Sequence, residues 1–354
     1  MNSLPVDTAA ITPGWLSEAL SARYPGVRVA TVNVIHERGS TNHHARLGIT
    51  YDESAGLPDT MFAKMAPLDE AHRIAIGATG MGTREARFYD ELAPSIEMRI
   101  PTSYFAGSGG DGAFLILLED LEATDCSISD GTWGIPADLA AGALSDLARL
   151  HVRFEDADRL AAVKPWVTAT SAMSLDFTRP LLRQVIDENA DVLSEAYIAV
   201  AEMYIADPEA IIALWARGPH TLIHGDTHIG NLFIDKDRVG FLDWGLLNIS
   251  TPMRDVSYFL TMSMLAEERR KHEGDLLQHY LDERRSLGGT EISASDAWQA
   301  HRVHTAYTVL ASFLSLVPPY NGEDQREFSD AFRNRAITAI DDLETVTALK
   351  SLLT

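Results

Sequence analysis

Cysteine is almost absent. The single Cys126 among 354 residues has no partner for an internal disulfide, so the fold is unstapled and fits a reducing compartment, the cytoplasm. Basic residues are scarce: 29 Lys and Arg stand against 51 Asp and Glu, a formal charge of −22. That balance repels phosphate backbones and anionic lipid, which argues against a nucleic-acid or membrane partner. Long apolar runs are missing; nowhere do about 18 uninterrupted apolar residues occur. The start, MNSLPVDTAAITPGWL, has neither a basic region nor an apolar core, so no signal peptide is expected and the chain reads as intact from Met1. No long-period repeat or low-complexity run is present.

What remains is ordinary globular composition, 46% hydrophobic with 8% aromatics, at a length that suits two domains or one bilobal unit. Thr12 and Pro13 signal a helix start, and the spacing predicts a helix over Pro13–Arg23. A period of two then predicts strands at Val27–Ile35, His44–Tyr51 and Thr60–Met65. A Gly/Thr stretch, Gly77–Gly82, leads into a helical segment at Thr83–Leu92, and two more strands follow at Thr102–Ala106 and Phe114–Glu119. This is the order of a small α+β lobe, placing the domain boundary after Glu119: residues 1–119, then 120–354. Beyond it the pattern turns helical, at Ala137–Phe154, Phe177–Leu193, Leu193–Ile205 and Pro208–Ala216, and later at Met253–Ala266, Glu267–Leu287, Ala294–Leu316 and Glu323–Leu349.

One strand-loop-strand island, Thr221–Trp244, interrupts the helices and carries the chemistry. It holds Asp226, then Asn231 five positions later, and Asp243 seventeen positions after Asp226. Phosphoryl transfer from ATP needs an oriented hydroxyl and Mg²⁺ held against the phosphates. A loop Asp, an Asn five residues on and a second Asp in a turn provide both. Carboxylate and amide oxygens suit a hard cation, and His224 and His228, four apart with no third His or Cys nearby, fit loop support better than zinc.

The run His224-Gly-Asp226-Thr-His-Ile-Gly-Asn231 resembles the catalytic loop of the aminoglycoside phosphotransferase and choline kinase superfamily. Leu117-Leu-Glu-Asp-Leu121 and Glu85-Ala-Arg-Phe-Tyr89 are similar to its ecdysteroid kinase-like branch. The resemblance implies a bilobal, protein-kinase-like α+β fold, with a nucleotide-binding lobe at 1–119 and a helical lobe at 120–354 bearing the catalytic loop and the acceptor pocket. It implies ATP and Mg²⁺ as cofactors, Asp226 as catalytic base, and Asn231 and Asp243 as metal ligands. It further implies Lys64 on the α/β-phosphates with Glu85 as its ion-pair partner, Ser40 in the phosphate loop, and Glu119 and Leu121 on the adenine. Two departures stand out: Trp244 replaces the Phe of the protein-kinase turn, and the Gly39–Asn42 loop holds one Gly instead of a Gly-rich repeat.

The function expected is an ATP- and Mg²⁺-dependent transfer to a small-molecule alcohol: an antibiotic, a steroid-like compound or a hydroxyacyl compound. A protein kinase is disfavoured because only twelve positions separate Asp243 from Asp255, too few for a long activation segment. A non-catalytic nucleotide-binding regulatory module is the other alternative, opposed by the intact Asp226, Asn231 and Asp243. Asp255 reads as support for the catalytic loop, and the side chains of Glu119 and Asp120 as solvated. Trp298, His301, His304 and Tyr307, three apart, read as a core stripe of a helix or, alternatively, as the wall of the acceptor pocket.

Overall fold

The computed structural model describes residues 3–39, 41–167, 178–318 and 321–353. Ser40, the expected helix start at Phe177 and Pro319 lie outside them. The chain forms two compact units, one of residues 1–128 and 240–246 and one of residues 129–239 and 247–354.

In the first unit, α1 (Pro13–Ser21) starts where Thr12 accepts the Trp15 amide, with Pro13 at the first helical position. Strands β1 (Arg28–Gly39), β2 (His43–Glu53), β3 (Thr60–Met65), β4 (Ser103–Ser108) and β5 (Phe114–Glu119) form an antiparallel sheet in the order β1-β2-β3-β5-β4. Alternation along β2 and β3 sends Leu47, Ile49, Met61 and Met65 inward, where they meet Leu16 and Leu20 of α1. Between β3 and β4 run α2 (Glu70–Gly77) and α3 (Met81–Arg87), and α3 continues into a widened π-type turn, Phe88–Leu92. Helix α2 was not expected: Asp69, whose carboxylate caps the His72 amide, gives it a start. On the neighbouring α3, a Cβ at Gly82 would come within 2.1 Å of the Phe114 ring, so the helix lies against β5 at a depth only glycine permits.

The second unit is mostly helical. It contains α4 (Ala137–Arg153), α5 (Ala157–Val163), α6 (Thr178–Asn189), α7 (Glu195–Ala206) and α8 (Pro208–Trp215). The island follows, with β6 (Thr221–Ile223), β7 (Leu232–Asp235) and β8 (Arg238–Phe241), whose last two residues belong to the first unit. Strand β9 (Asn248–Ser250) pairs antiparallel with β6. The remaining helices are α9 (Pro252–Ser263), α10 (Ala266–Ser286), α11 (Ala294–His304), α12 (Tyr307–Ser312), α13 (Arg326–Asp342) and α14 (Thr345–Leu353). Every residue of α9 is buried, polar ones included, so it is the axis of the unit rather than a one-faced helix.

Two helices expected to be continuous are broken. The stretch Ala294–Leu316 divides at Thr305, where the Thr305 hydroxyl bonds back to the His301 carbonyl and Thr308 to Thr305, the hydroxyl competition that loosens helical ladders. The stretch Glu323–Leu349 divides at Glu344, which takes φ 45° while Arg302 collects the Leu343 carbonyl and the Glu344 carboxylate. Among the described residues no helix is long and apolar enough to cross a membrane.

Candidate active site

The residues singled out by sequence fall into two sets, one within each unit. In the first unit the register places Lys64 on the central strand, opposite His44 of β2 and Ile116 of β5. Lys64 is 5% exposed and reaches Glu85 of α3, 2% exposed, at 2.7 Å, and Asp243 at 3.0 Å. Burial disfavours the ammonium, but Asp243 and Glu85 outweigh it and hold Lys64 above its ordinary value. Burial also pushes Glu85 up, against the pull of Lys64 and of the Trp244 amide that donates to it.

Asp243 is held at φ 55°, a left-handed conformation that Asp tolerates better than most residues. The turn around it is fixed from both sides. Trp244 stacks on Phe88 with ring centroids 4.0 Å apart, and Arg84 donates to the Gly245 carbonyl. The departure from Phe to Trp is thus filled by a flat aromatic partner on the same helical segment as Glu85. The Asp243 side chain is 40% exposed, open to a ligand as the other two are not.

His44 also belongs to this set and was not foreseen. Its imidazole is lowered to about 4 by burial and by Lys64, so it stays uncharged beside the lysine at neutral pH. The signal was the strand register, which periodicity alone does not fix.

Glu119 ends β5, and Leu121 opens the turn that follows. The Glu119 amide donates to the Thr102 carbonyl, and the Leu121 carbonyl accepts from Thr124. The acidic side chains here are not solvated as expected: Asp120 is buried and clasped by Arg46 through three contacts of 2.9–3.1 Å, and Glu119 pairs with Arg99 at 2.7 Å.

In the second unit the loop after β6 is built around Asp255, in the first turn of α9. Its carboxylate accepts the amides of His224 (2.7 Å) and Gly225 (2.8 Å) and faces His151 Nε2 at 3.2 Å, while the Thr227 hydroxyl donates to its carbonyl. Although burial pushes Asp255 up, its bond to His151 and the His151 and His224 charges hold it below the ordinary carboxylate value. His224 Nδ1 accepts the Asp226 amide at 3.2 Å, and His228 Nδ1 accepts that of Gly230 at 3.0 Å. The two histidines brace the loop.

On that frame Asn231 Nδ2 donates to Asp226 Oδ2 at 2.8 Å and to the Asp226 carbonyl at 3.0 Å, leaving the amide oxygen of Asn231 as a hard donor. Asp255→Ala is expected to strand the buried amides and His151 and cost about 3–5 kcal/mol, read as a lowered denaturation midpoint. Because its folded value is depressed, the stabilisation by Asp255 is present above the ordinary carboxylate range and disappears as pH falls through the folded value.

The late aromatic stripe is divided. His301 is fully buried between Ser257 and Glu273. Tyr307 packs edge-on to Trp215 and Tyr258 with the Arg254 guanidinium 4.3 Å from its ring centre. Trp298 is 40% exposed. His301 is therefore a core residue, Tyr307 packs partly buried against the core, and the break at Thr305 puts the four on two helices.

A family model described as "Phosphotransferase enzyme family" matches residues 62–289, from β3 through the Asp226–Asn231 loop to just past the end of α10. The chain belongs to this family. It is a phosphotransferase with an alcohol group as acceptor. Among solved structures, the GDP complex of aminoglycoside 2'-phosphotransferase-IIIa is 15% identical, with 93% of this chain and 99% of that one covered at a TM-score of 0.51. A candidate aminoglycoside phosphotransferase of Ralstonia eutropha is 13% identical over 96% of this chain and 98% of its own, at 0.57. LicA, the choline kinase of Streptococcus pneumoniae, in complex with AMP is 13% identical over 94% and 98%, at 0.51. At such identities the likeness is one of fold, and it agrees with the α+β, protein-kinase-like architecture expected from sequence. No curated protein sequence matches the phosphotransferase.

Proposed function

We propose that this phosphotransferase moves the γ-phosphoryl group of ATP to a hydroxyl of a small apolar alcohol, with Mg²⁺, in the cytoplasm. The observation that carries the reading is the buried Lys64 held by Glu85 and Asp243. A buried, fully charged lysine aimed by a second carboxylate is what a strand must offer to α/β-phosphates, and a merely structural lysine would sit at the surface. Residues 1–119 form the nucleotide lobe in this reading, with Ser40, outside the described residues, in the phosphate loop. Leu121 offers its amide and Glu119 its carbonyl to adenine. Residues 120–354 form the helical lobe with the catalytic loop and the acceptor pocket.

Asp226 accepts the hydroxyl proton as the acceptor oxygen bonds to the γ-phosphorus and the bond to the bridging oxygen breaks, releasing ADP. Asn231 holds the Asp226 carboxylate in place for that transfer. Mg²⁺, when bound, neutralises charge on the phosphates. The donor set fits it: the exposed carboxylate of Asp243 and the amide oxygen of Asn231 are hard oxygen ligands. The GDP and AMP bound by the two structural relatives support nucleotide use. An apolar acceptor is supported by the ring of Phe328, which stacks on Phe332 and lies where a Cβ on the catalytic-loop Gly230 would reach it at 3.1 Å, while His228 meets Phe332 edge-on at 4.9 Å.

Screening a library of steroid-like, macrolide, amino-alcohol and hydroxyacyl compounds for ADP release, with Asp226→Asn as the blank, tests the reading. It fails if no hydroxyl compound raises release above that blank. Asp243→Ala is expected to raise the Mg²⁺ concentration needed for half-maximal turnover by at least about tenfold, since a full charge is lost from the ligand set. An unchanged Mg²⁺ titration would place the metal elsewhere.

A further inference from the structure

The second unit contains a cavity of about 310 Å³ away from the catalytic loop. The paired strands β6 and β9 separate the two: Gly218, Pro219 and Thr251 adjoin the Thr221–Ser250 end of the pair and line the cavity, whereas Asp226 follows Ile223 at the other end. Its apolar lining includes Leu214, Met253, Ile292, Val303 and Leu352, enough to receive a branched aliphatic side chain.

Three polar features are unexplained by the fold. Thr251, the N-cap of the twelve-residue α9, makes no side-chain cap, so the positive end of that helix opens on the cavity. His304, 2% exposed, lines the cavity with its Nδ1 lacking any hydrogen-bond partner, a cost that a buried polar atom carries only for a reason. Burial, with Arg254 and His301, lowers this imidazole to about 3, so it is a neutral hydrogen-bonding group rather than a charge. Finally, exposed residues of both signs line it, Arg217 against Glu291 and Asp296, the last also accepting the Ser293 hydroxyl at 2.7 Å. A simple anion meets two carboxylates there, and a simple cation meets Arg217 and the helix terminus. A ligand carrying both charges satisfies both.

We propose that this cavity binds a small zwitterion with an apolar side chain, an α-amino acid or a close analogue. Its carboxylate lies toward Arg217, the α9 terminus and His304, and its ammonium toward Glu291 and Asp296. The inference does not rest on the catalytic reading.

Isothermal titration calorimetry on the full chain, without nucleotide, tests it with L-leucine, L-valine, L-methionine and L-phenylalanine. L-leucinamide, which lacks the carboxylate, and 4-methylpentanoate, which lacks the amine, are the controls. At least one amino acid is expected to bind, and its affinity to fall roughly tenfold or more in Arg217→Gln and in the Glu291→Gln/Asp296→Asn double variant. These are exposed residues, so an unchanged melting temperature is expected in both variants. Binding is expected to be unchanged in Asp226→Asn. The proposal is overturned if none of the four binds, if the amide and the acid bind as well as leucine, if the Arg217 and Glu291/Asp296 variants bind like the parent, or if Asp226→Asn abolishes binding.

Discussion

Asp226→Ala should lower turnover by about 10²–10⁴-fold, the usual contribution of a positioned general base, while leaving the ATP KM and the melting temperature near those of the parent. The structure separates the two roles cleanly. Loop conformation depends on Asp255, which holds two amides and His151, whereas the Asp226 carboxylate is partly exposed and, among the described residues, is tied by Asn231 at 2.8 Å with His228 Nε2 3.5 Å away. Truncation removes that tie but leaves Asn231 its bond to the Asp226 carbonyl. An interaction made only in the transition state lowers kcat and kcat/KM together. Parent-like turnover in Asp226→Ala would take this carboxylate out of the chemistry. A large fall in melting temperature would make it a structural residue instead.

Lys64→Met should have a double effect, on rate and on stability. The substitution keeps the volume but leaves Glu85 2% exposed and without its cation. Breaking a buried pair from one side costs about 3–5 kcal/mol at neutral pH. The sign of the pH dependence follows from Glu85. Burial already lifts its folded value from 4.5 to about 7 against the pull of Lys64, and without the lysine that pull is gone. The folded variant then keeps a proton that the unfolded chain releases, so its stability falls as pH rises from about 5 through 7 and above. Glu85→Gln added to Lys64→Met should recover most of the lost stability and flatten its pH dependence, without restoring turnover. A pH-independent melting temperature in Lys64→Met between roughly pH 5 and 8 would show that Glu85 ionises in the folded variant as it does in the unfolded chain, against the upward push of its burial. Undiminished turnover would show that Lys64 does not touch the phosphates.

What could be read from sequence was what is local or ordered. The strands and the helix starts followed from periodicity and from caps such as Thr12, and the loop from Asp226 to Asn231 is a chemical unit within six residues. What stayed hidden were partners far apart in the chain. Asp120 looked solvated because its cation, Arg46, lies 74 positions away on β2, and His44 faces Lys64 only once the register is set. Helix α2 was hidden for a different reason. The stretch that closes it, Gly77 with Thr79 and Gly80 just beyond, outweighed the Asp69 cap in any propensity count. The breaks at Thr305 and Glu344 depend on hydroxyl back-bonding and on Arg302, neither visible in an apolar pattern.

Gly82 shows how far from the charges their coupling can be set. It carries no function of its own, yet the contact it allows with Phe114 fixes how deeply α3 sits, and Glu85 is one turn further along that helix. The carboxylate has no slack: at 2.7 Å from Lys64 Nζ, an outward displacement of the helix by the radius of a methyl group breaks the bond. Position 82 is thus a mechanical ruler for the lysine, and a survey that replaced only the ionisable residues of this enzyme would miss the place where a single added carbon can disconnect them.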